Sequence, residues 1–142
     1  VSCAGDPGVA EAKQAVPIPV IGGGASTAAL STFFGSYPAV LGITEDVPES
    51  YHRILGDRIV NNAKGDGVEN ILDLMTAKGY EATMEKAAAQ KALGADVIAL
   101  SCTGMSSIQI ASSIEKAVGI PVLDPVMCEG LLTVFELLRK GI

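Results

Sequence analysis

The chain has 142 residues, 49% apolar and 18% charged, with no tryptophan, a balance that permits a real core and excludes a disordered chain. Ten Lys and Arg against sixteen Asp and Glu give a net charge of −6, which disfavours nucleic acid because phosphate binding needs clustered cations. No apolar run approaches the roughly 20 residues of a membrane span, since Val16 to Phe34 is broken by Pro17, Pro19 and three glycines, so a soluble globular protein is expected.

Short apolar strands alternate with helices, the pattern of an α/β protein with a mainly parallel sheet. Val1-Ser2-Cys3 reads as the end of a strand, and with Val1 in place of Met a leading segment is expected before it. Asp6-Pro7 reads as an N-cap and first-turn proline for a helix marked by Val9, Ala12 and Val16. Ile18 to Ile21 is predicted as a strand, turning at Gly22-Gly23-Gly24 into a small-residue helix from Ala25 to about Phe34. Ala39 to Ile43 is the next strand, ending at Thr44, and a helix covers Pro48 to Leu55. A short strand is expected near Arg58 to Asn61, then a Gly65-Asp66-Gly67 loop.

Val68 to Leu93 is helical in pattern, interrupted near Gly79, with Tyr80, Met84, Ala87 and Ala88 on one face. Asp96 to Leu100 is a strand running into Ser101-Cys102, and Ile110, Ala111, Ile114 and Val118 mark a helix. Ile120 to Leu123 is the last strand. Asp124-Pro125 repeats the cap-plus-proline signal before a helix whose apolar face carries Leu131, Leu132, Phe135 and Leu138.

Three cysteines, Cys3, Cys102 and Cys128, stand at wide spacings without a CxxC, and His52 is the only histidine. That argues against a disulfide scaffold and a zinc site, and makes a reducing cytoplasm the simpler setting. Cys128 shares a helical face with Leu131, Leu132 and Phe135 and is read as a packing residue.

One internal repeat stands out. Ser2-Cys3-Ala4-Gly5 returns as Ser101-Cys102-Thr103-Gly104, and each is followed by an Ile-Pro-Val, at Ile18-Pro19-Val20 and Ile120-Pro121-Val122. The Cys-to-Pro offsets are 16 and 19 residues, as in a duplication with a small insertion. Each cysteine would sit at the C-terminal end of a strand, where open α/β sheets bind ligands.

A thiol there, followed by a helix N-terminus, meets backbone N–H groups that can lower its pKa from about 8.5 towards neutrality. Two such thiols across a cleft form an acid–base pair: one thiolate removes a proton from carbon and the other thiol delivers one to the opposite face. Sulfurs about 3–3.5 Å from the reacting carbon stand roughly 6–7 Å apart, beyond disulfide distance. A single buried cysteine at a strand end is equally a small core residue, and it is the matched pair that points to chemistry.

Gly22 to Thr27 is a glycine turn that can bring bare N–H groups to a carboxylate or carbonyl, or serve only close packing. It is no nucleotide signature, since Thr27 stands at the third glycine of GxGxxG. Thr44 can donate to a substrate or cap the next helix, while His52 reads as solvated and Asp6 and Asp124 as caps.

These stretches resemble the aspartate/glutamate/hydantoin racemase superfamily, in particular its hydantoin and allantoin racemase branch. Ser2 to Gly8, Ile18 to Gly22, Val97 to Met105 and Gly119 to Val126 carry the resemblance, in order along almost the whole chain. It implies two Rossmann-like lobes with pseudo-twofold symmetry, the active site between them, and one cysteine from each, Cys3 and Cys102. It implies racemisation with neither cofactor nor metal. Substrate contacts map onto Ala4, Gly5, Thr103 and Gly104, and further onto Gly24, Ser26 and Thr44. Family members open with a strand, helix, strand and helix before the first cysteine, and none of these is present. The first lobe is therefore expected to be incomplete, with residues 1–38 and 125–142 as its part and 39–124 as the second lobe. A sheet left partly uncovered also allows a homo-oligomer.

The expected reaction inverts a carbon α to a carbonyl, with a 5-substituted hydantoin as small-molecule substrate. The strand-end loops carry no Arg or Lys for an amino-acid carboxylate, which favours a neutral ring. The alternatives are aspartate/glutamate racemase, maleate isomerase or decarboxylase chemistry of the same superfamily, or an inactive ligand-binding fragment.

Overall fold

Two apolar runs make the centre of the molecule. Pro38–Gly42 (β1) and Val97–Leu100 (β3) are buried along their whole length in the computed structural model, which describes residues 1–142. Such burial on both faces is what a parallel sheet demands of its inner strands. Asn62–Lys64 (β2) pairs with β1 and Val122–Leu123 (β4) with β3, giving a four-stranded, all-parallel sheet in the order β2-β1-β3-β4.

The helices are Val9–Ala15 (α1), Gly23–Ser31 (α2), Glu49–Leu55 (α3), Ile71–Leu74 (α4), Ala77–Ala92 (α5), Gly104–Ser107 (α6), Ile110–Val118 (α7) and Pro125–Lys140 (α8). The period of two along the strands sorts side chains between two cores. Ala39, Leu41, Ile98 and Leu100 join Leu74, Ala87, Ile110 and Ile114 under α4, α5 and α7. Val40 and Ala99 face Ala28, Tyr51 and Leu55 of α2 and α3, together with Ala4. Through Ala4 the first cysteine loop is anchored in the smaller core.

The α/β class and parallel sheet are as expected, while several local readings are corrected. Ile18 to Ile21 forms no strand. Only one rung joins it to the chain start, with Val1 O accepting the Gly23 N–H at 3.0 Å and the Val1 amine donating to Ile21 O at 2.6 Å. Pro17 and Pro19 bring no N–H, and Ile18 lies open to solvent. Gly56–Arg58 makes a 3₁₀ turn, so the strand expected near Arg58 begins later, at Asn62. The helical break falls at Met75-Thr76, where Thr76 caps α5 by accepting the Gly79 N–H at 3.0 Å. Gly79 is buried within the first turn because a Cβ there would overlap the Asp73 carbonyl.

Asp6 does not cap α1. The N-cap is Gly8 at φ 72°, and Asp6 itself lies in the left-handed region at φ 52°. Asp124 does cap α8, its Oδ1 accepting from the N–H groups of Val126 and Met127 and from the Ser106 hydroxyl. Along α8 the expected buried face is open: Leu131, Phe135 and Leu138 are 58%, 62% and 70% exposed, and Cys128 is buried. At the outer edge of the sheet Glu115 Oε2 accepts the outward N–H of Val122 at 2.9 Å. No helix is long and apolar enough to cross a membrane.

Candidate active site

The two Ser-Cys-x-Gly segments close the same turn. Cys3 O accepts the Asp6 N–H at 3.0 Å, and Cys102 O accepts the Met105 N–H at 3.1 Å. Ala4, next to Cys3, packs in one core cluster with Ala99 of β3 and with Tyr51, whose hydroxyl donates to Leu100 O, so two cysteines 99 positions apart in sequence stand on neighbouring loops.

Their surroundings differ. Cys102 continues directly from β3, with the Ser101 N–H donating to Leu41 O at 2.8 Å, and is buried. Burial pushes its thiol above the usual range. Backbone N–H groups of Gly104 and Met105 at the sulfur pull the other way without prevailing. The expected lowering by a helix N-terminus therefore fails for Cys102, because α6 has only four residues and desolvation outweighs two hydrogen bonds. Cys3 is exposed, on a loop with no strand behind it.

The residues expected to touch substrate divide into two sets. Ala4, Gly5, Thr103 and Gly104 flank the sulfurs in chain order. Ala4 is buried, Gly5 is exposed beside the Cys3 sulfur, Thr103 is half-buried and Gly104 is buried against Ile71. A Cβ on Gly104 would stand 2.8 Å from Ile71 Cγ1, so that glycine lets α4 close on the Cys102 loop.

Gly24, Ser26 and Thr44 are already engaged within the chain. The Gly24 N–H donates to Asp6 Oδ1 at 2.9 Å, and the buried Ser26 hydroxyl donates to Gly22 O at 2.6 Å. Thr44 is exposed, and its hydroxyl closes a turn onto Asp46 O at 2.9 Å. The glycine turn does receive a carboxylate, but the carboxylate is that of Asp6.

Sequence reasoning missed Tyr51. It is fully buried and its hydroxyl donates to Leu100 O at 2.6 Å, one residue before Ser101-Cys102. Burial drives its pKa far above the ordinary tyrosine value, against the Thr27 hydroxyl beside it, while charges on Asp6, Cys128 and Cys102 push the same way. Tyr51 thus stands among both loops as a neutral donor. The only signal was an aromatic with a polar tip on the helix predicted from Pro48 to Leu55. Cys128 lies beneath, its thiol pushed up to about 11 by burial.

Four of the surface cavities, of about 360–600 Å³, lie elsewhere and are lined by neither Cys3 nor Cys102. No cluster of three or more His, Cys, Asp or Glu side chains is placed to hold a metal ion.

Several known proteins are similar to this chain. The chain is 27% identical over 132 residues to a hydantoin racemase from Paenarthrobacter aurescens, covering 89% of this chain and 55% of that protein. It is 28% identical over 140 residues to a hydantoin racemase from Pseudomonas sp. (strain NS671), covering 89% and 53%. It spans about half the length of these curated relatives. An allantoin racemase from Klebsiella pneumoniae matches in structure with a TM-score of 0.78 at 22% identity, over 100% of this chain and 59% of the other. An allantoin racemase from Pseudomonas fluorescens matches with a TM-score of 0.62 at 25% identity, over 83% and 52%. The Asp/Glu/hydantoin racemase family matches residues 1–129, both cysteine loops included, and the chain belongs to that family.

Proposed function

We propose that this chain carries the reacting thiols of a racemase that inverts a carbon α to a carbonyl, with Cys3 and Cys102 as base and acid. The observation that carries the reading is the convergence of the two Ser-Cys-x-Gly turns, since Ala4 packs in one core cluster with Ala99 of β3 and with Tyr51, whose hydroxyl donates to Leu100 O. In one direction the Cys3 thiolate takes the α-proton and becomes a thiol, leaving the electron pair on carbon as an enolate. The Cys102 thiol then gives its proton to the opposite face and becomes a thiolate. The reverse direction exchanges these roles, and proton exchange with water resets the pair.

The raised pKa of Cys102 suits the acid role in the resting state, because it keeps that sulfur protonated at neutral pH. Backbone N–H groups next to the sulfurs, from Ala4, Gly5, Thr103 and Gly104, would hold the developing oxyanion. A 5-substituted hydantoin is the substrate class, supported by the names of the two curated relatives. Its ring carbonyls acidify the carbon, and the loops offer no Arg or Lys for a free carboxylate.

In this reading residues 1–38 and 125–142 belong to the first lobe and 39–124 to the second. Unpaired thiols fit a reducing compartment such as the cytoplasm. The test is incubation of the whole protein with an enantiopure 5-substituted hydantoin in heavy water. Loss of optical rotation with deuterium entering C5, both lost in Cys3→Ala and in Cys102→Ala, is the expected result. Full racemisation by Cys102→Ala would eliminate the two-thiol reading.

A further inference from the structure

The Cys3 loop has no strand to hold it, yet it meets the start of α2 at every residue of the glycine triplet. Asp6 Oδ1 accepts the Gly24 N–H at 2.9 Å and Asp6 Oδ2 accepts the Ala25 N–H at 2.6 Å. A Cβ on Gly22 would overlap that carboxylate, and a Cβ on Gly24 would overlap the Ala4 carbonyl. On Gly23 it would stand 3.6 Å from Cys3 O.

Helix α2 has no cap from its own N-cap residue and no acidic side chain in its first turn. Asp6 supplies both. Its backbone lies in the left-handed region, which non-glycine residues other than Asn and Asp seldom enter. Asp6 also donates its N–H to Cys3 O at 3.0 Å, so the same residue closes the cysteine turn and binds it to the helix.

We infer that Asp6 is the positioning residue for Cys3, its carboxylate clamping the cysteine loop onto α2, and that Gly22-Gly23-Gly24 is the receptor for that loop. The triplet thus serves contact within the chain in place of contact with a ligand. The clamp stands on geometry alone, while its catalytic consequence rests on the racemase reading.

The experiment compares the whole protein with Asp6→Asn, which keeps one acceptor and the side-chain size, and with Asp6→Ala. Amide hydrogen exchange and steady-state racemisation are measured on each. In Asp6→Asn, exchange at Gly24, Ala25 and the Cys3 loop is expected to quicken by about tenfold or more. Exchange over Val97 to Met105 should stay as it was. In the same variant kcat is expected to fall about tenfold to a hundredfold with KM nearly constant, as for a displaced reacting group.

Unchanged exchange at Gly24 and Ala25 overturns the clamp. Exchange that quickens uniformly, Val97 to Met105 included, overturns it as well, because it reports global destabilisation. Quickened local exchange with wild-type kcat overturns the positioning role. An unvaried protein that fails to racemise any hydantoin sinks the racemase reading while the exchange measurements still decide the clamp. Should Asp6→Ala fail to fold, Asp6→Asn carries the test.

Discussion

Two tetrapeptides of nearly the same sequence are held here by different physics. The Cys102 loop is the continuation of a buried strand, fixed by main-chain bonds to β1 and by the Tyr51 hydroxyl. The Cys3 loop, open to solvent at its sulfur, has no strand behind it and is fixed by Ala4 in the smaller core and by the Asp6 side chain on the end of a helix. Both close the same turn onto the residue three positions on. A local motif therefore specifies the turn, while burial and stiffness come from what the motif is fastened to.

The strongest way to break this comparison is to remove each sulfur in turn. Cys3→Ala and Cys102→Ala should each lower kcat for racemisation by about 10²–10⁴-fold, the range for losing a general acid or base, as read by polarimetry. If only one variant is impaired, the loops are not partners.

Stability should separate the loops next. Leu100→Ala empties a fully buried site just behind Cys102 and should cost about 2–5 kcal/mol in urea unfolding. Asp6→Ala should cost about 0.5–2 kcal/mol, the scale of a lost helix cap. Equal costs would mean that the sheet does not carry the Cys102 loop.

A loss smaller than that of Leu100→Ala is expected from Tyr51→Phe. Deleting the hydroxyl leaves Leu100 O without its donor at no loss of ring packing, a cost of about 1–2 kcal/mol in the same unfolding assay. Amide exchange should quicken around Leu100 to Cys102 and leave Gly24 and Ala25 unchanged.

The finest distinction is in pH dependence. Burial raises the Cys102 thiol above the ordinary value of 9.0, so the charged, reactive form is scarce at neutral pH and grows as pH rises. Its alkylation by iodoacetamide should climb about tenfold per pH unit up to and beyond pH 9, because only the thiolate reacts. A plateau below pH 9, read by mass spectrometry at Cys102, would mean that the Gly104 and Met105 N–H groups outweigh burial.

Much of this was legible in the sequence, since the relevant signals are local. Ala39 to Ile43 and, after Asp96, Val97 to Leu100 announce inner strands by unbroken apolar character, and Asp124-Pro125 marks the start of α8 correctly. The repeated Ser-Cys-x-Gly needed only inspection. What could not be read is which partner a residue finds across the fold. Asp6 precedes proline like a cap for the next helix, yet it caps one beginning 17 residues later, at Gly23. Gly79 looks like a helix breaker but answers to the nearby Asp73 carbonyl. Ile18 to Ile21 has strand composition with no neighbour to make it a strand. The direction of the Cys102 shift depended on weighing desolvation against two backbone bonds, and periodicity carries no information about that.

The carboxylate that Glu115 lays on Val122 has a consequence for how this sheet behaves towards strangers. An incoming strand seeking main-chain bonds beyond Leu123 must first evict a charged group already occupying the donor it needs. The rim is thereby gated by an ion, and growth of the ladder by edge-to-edge accretion is penalised before it begins.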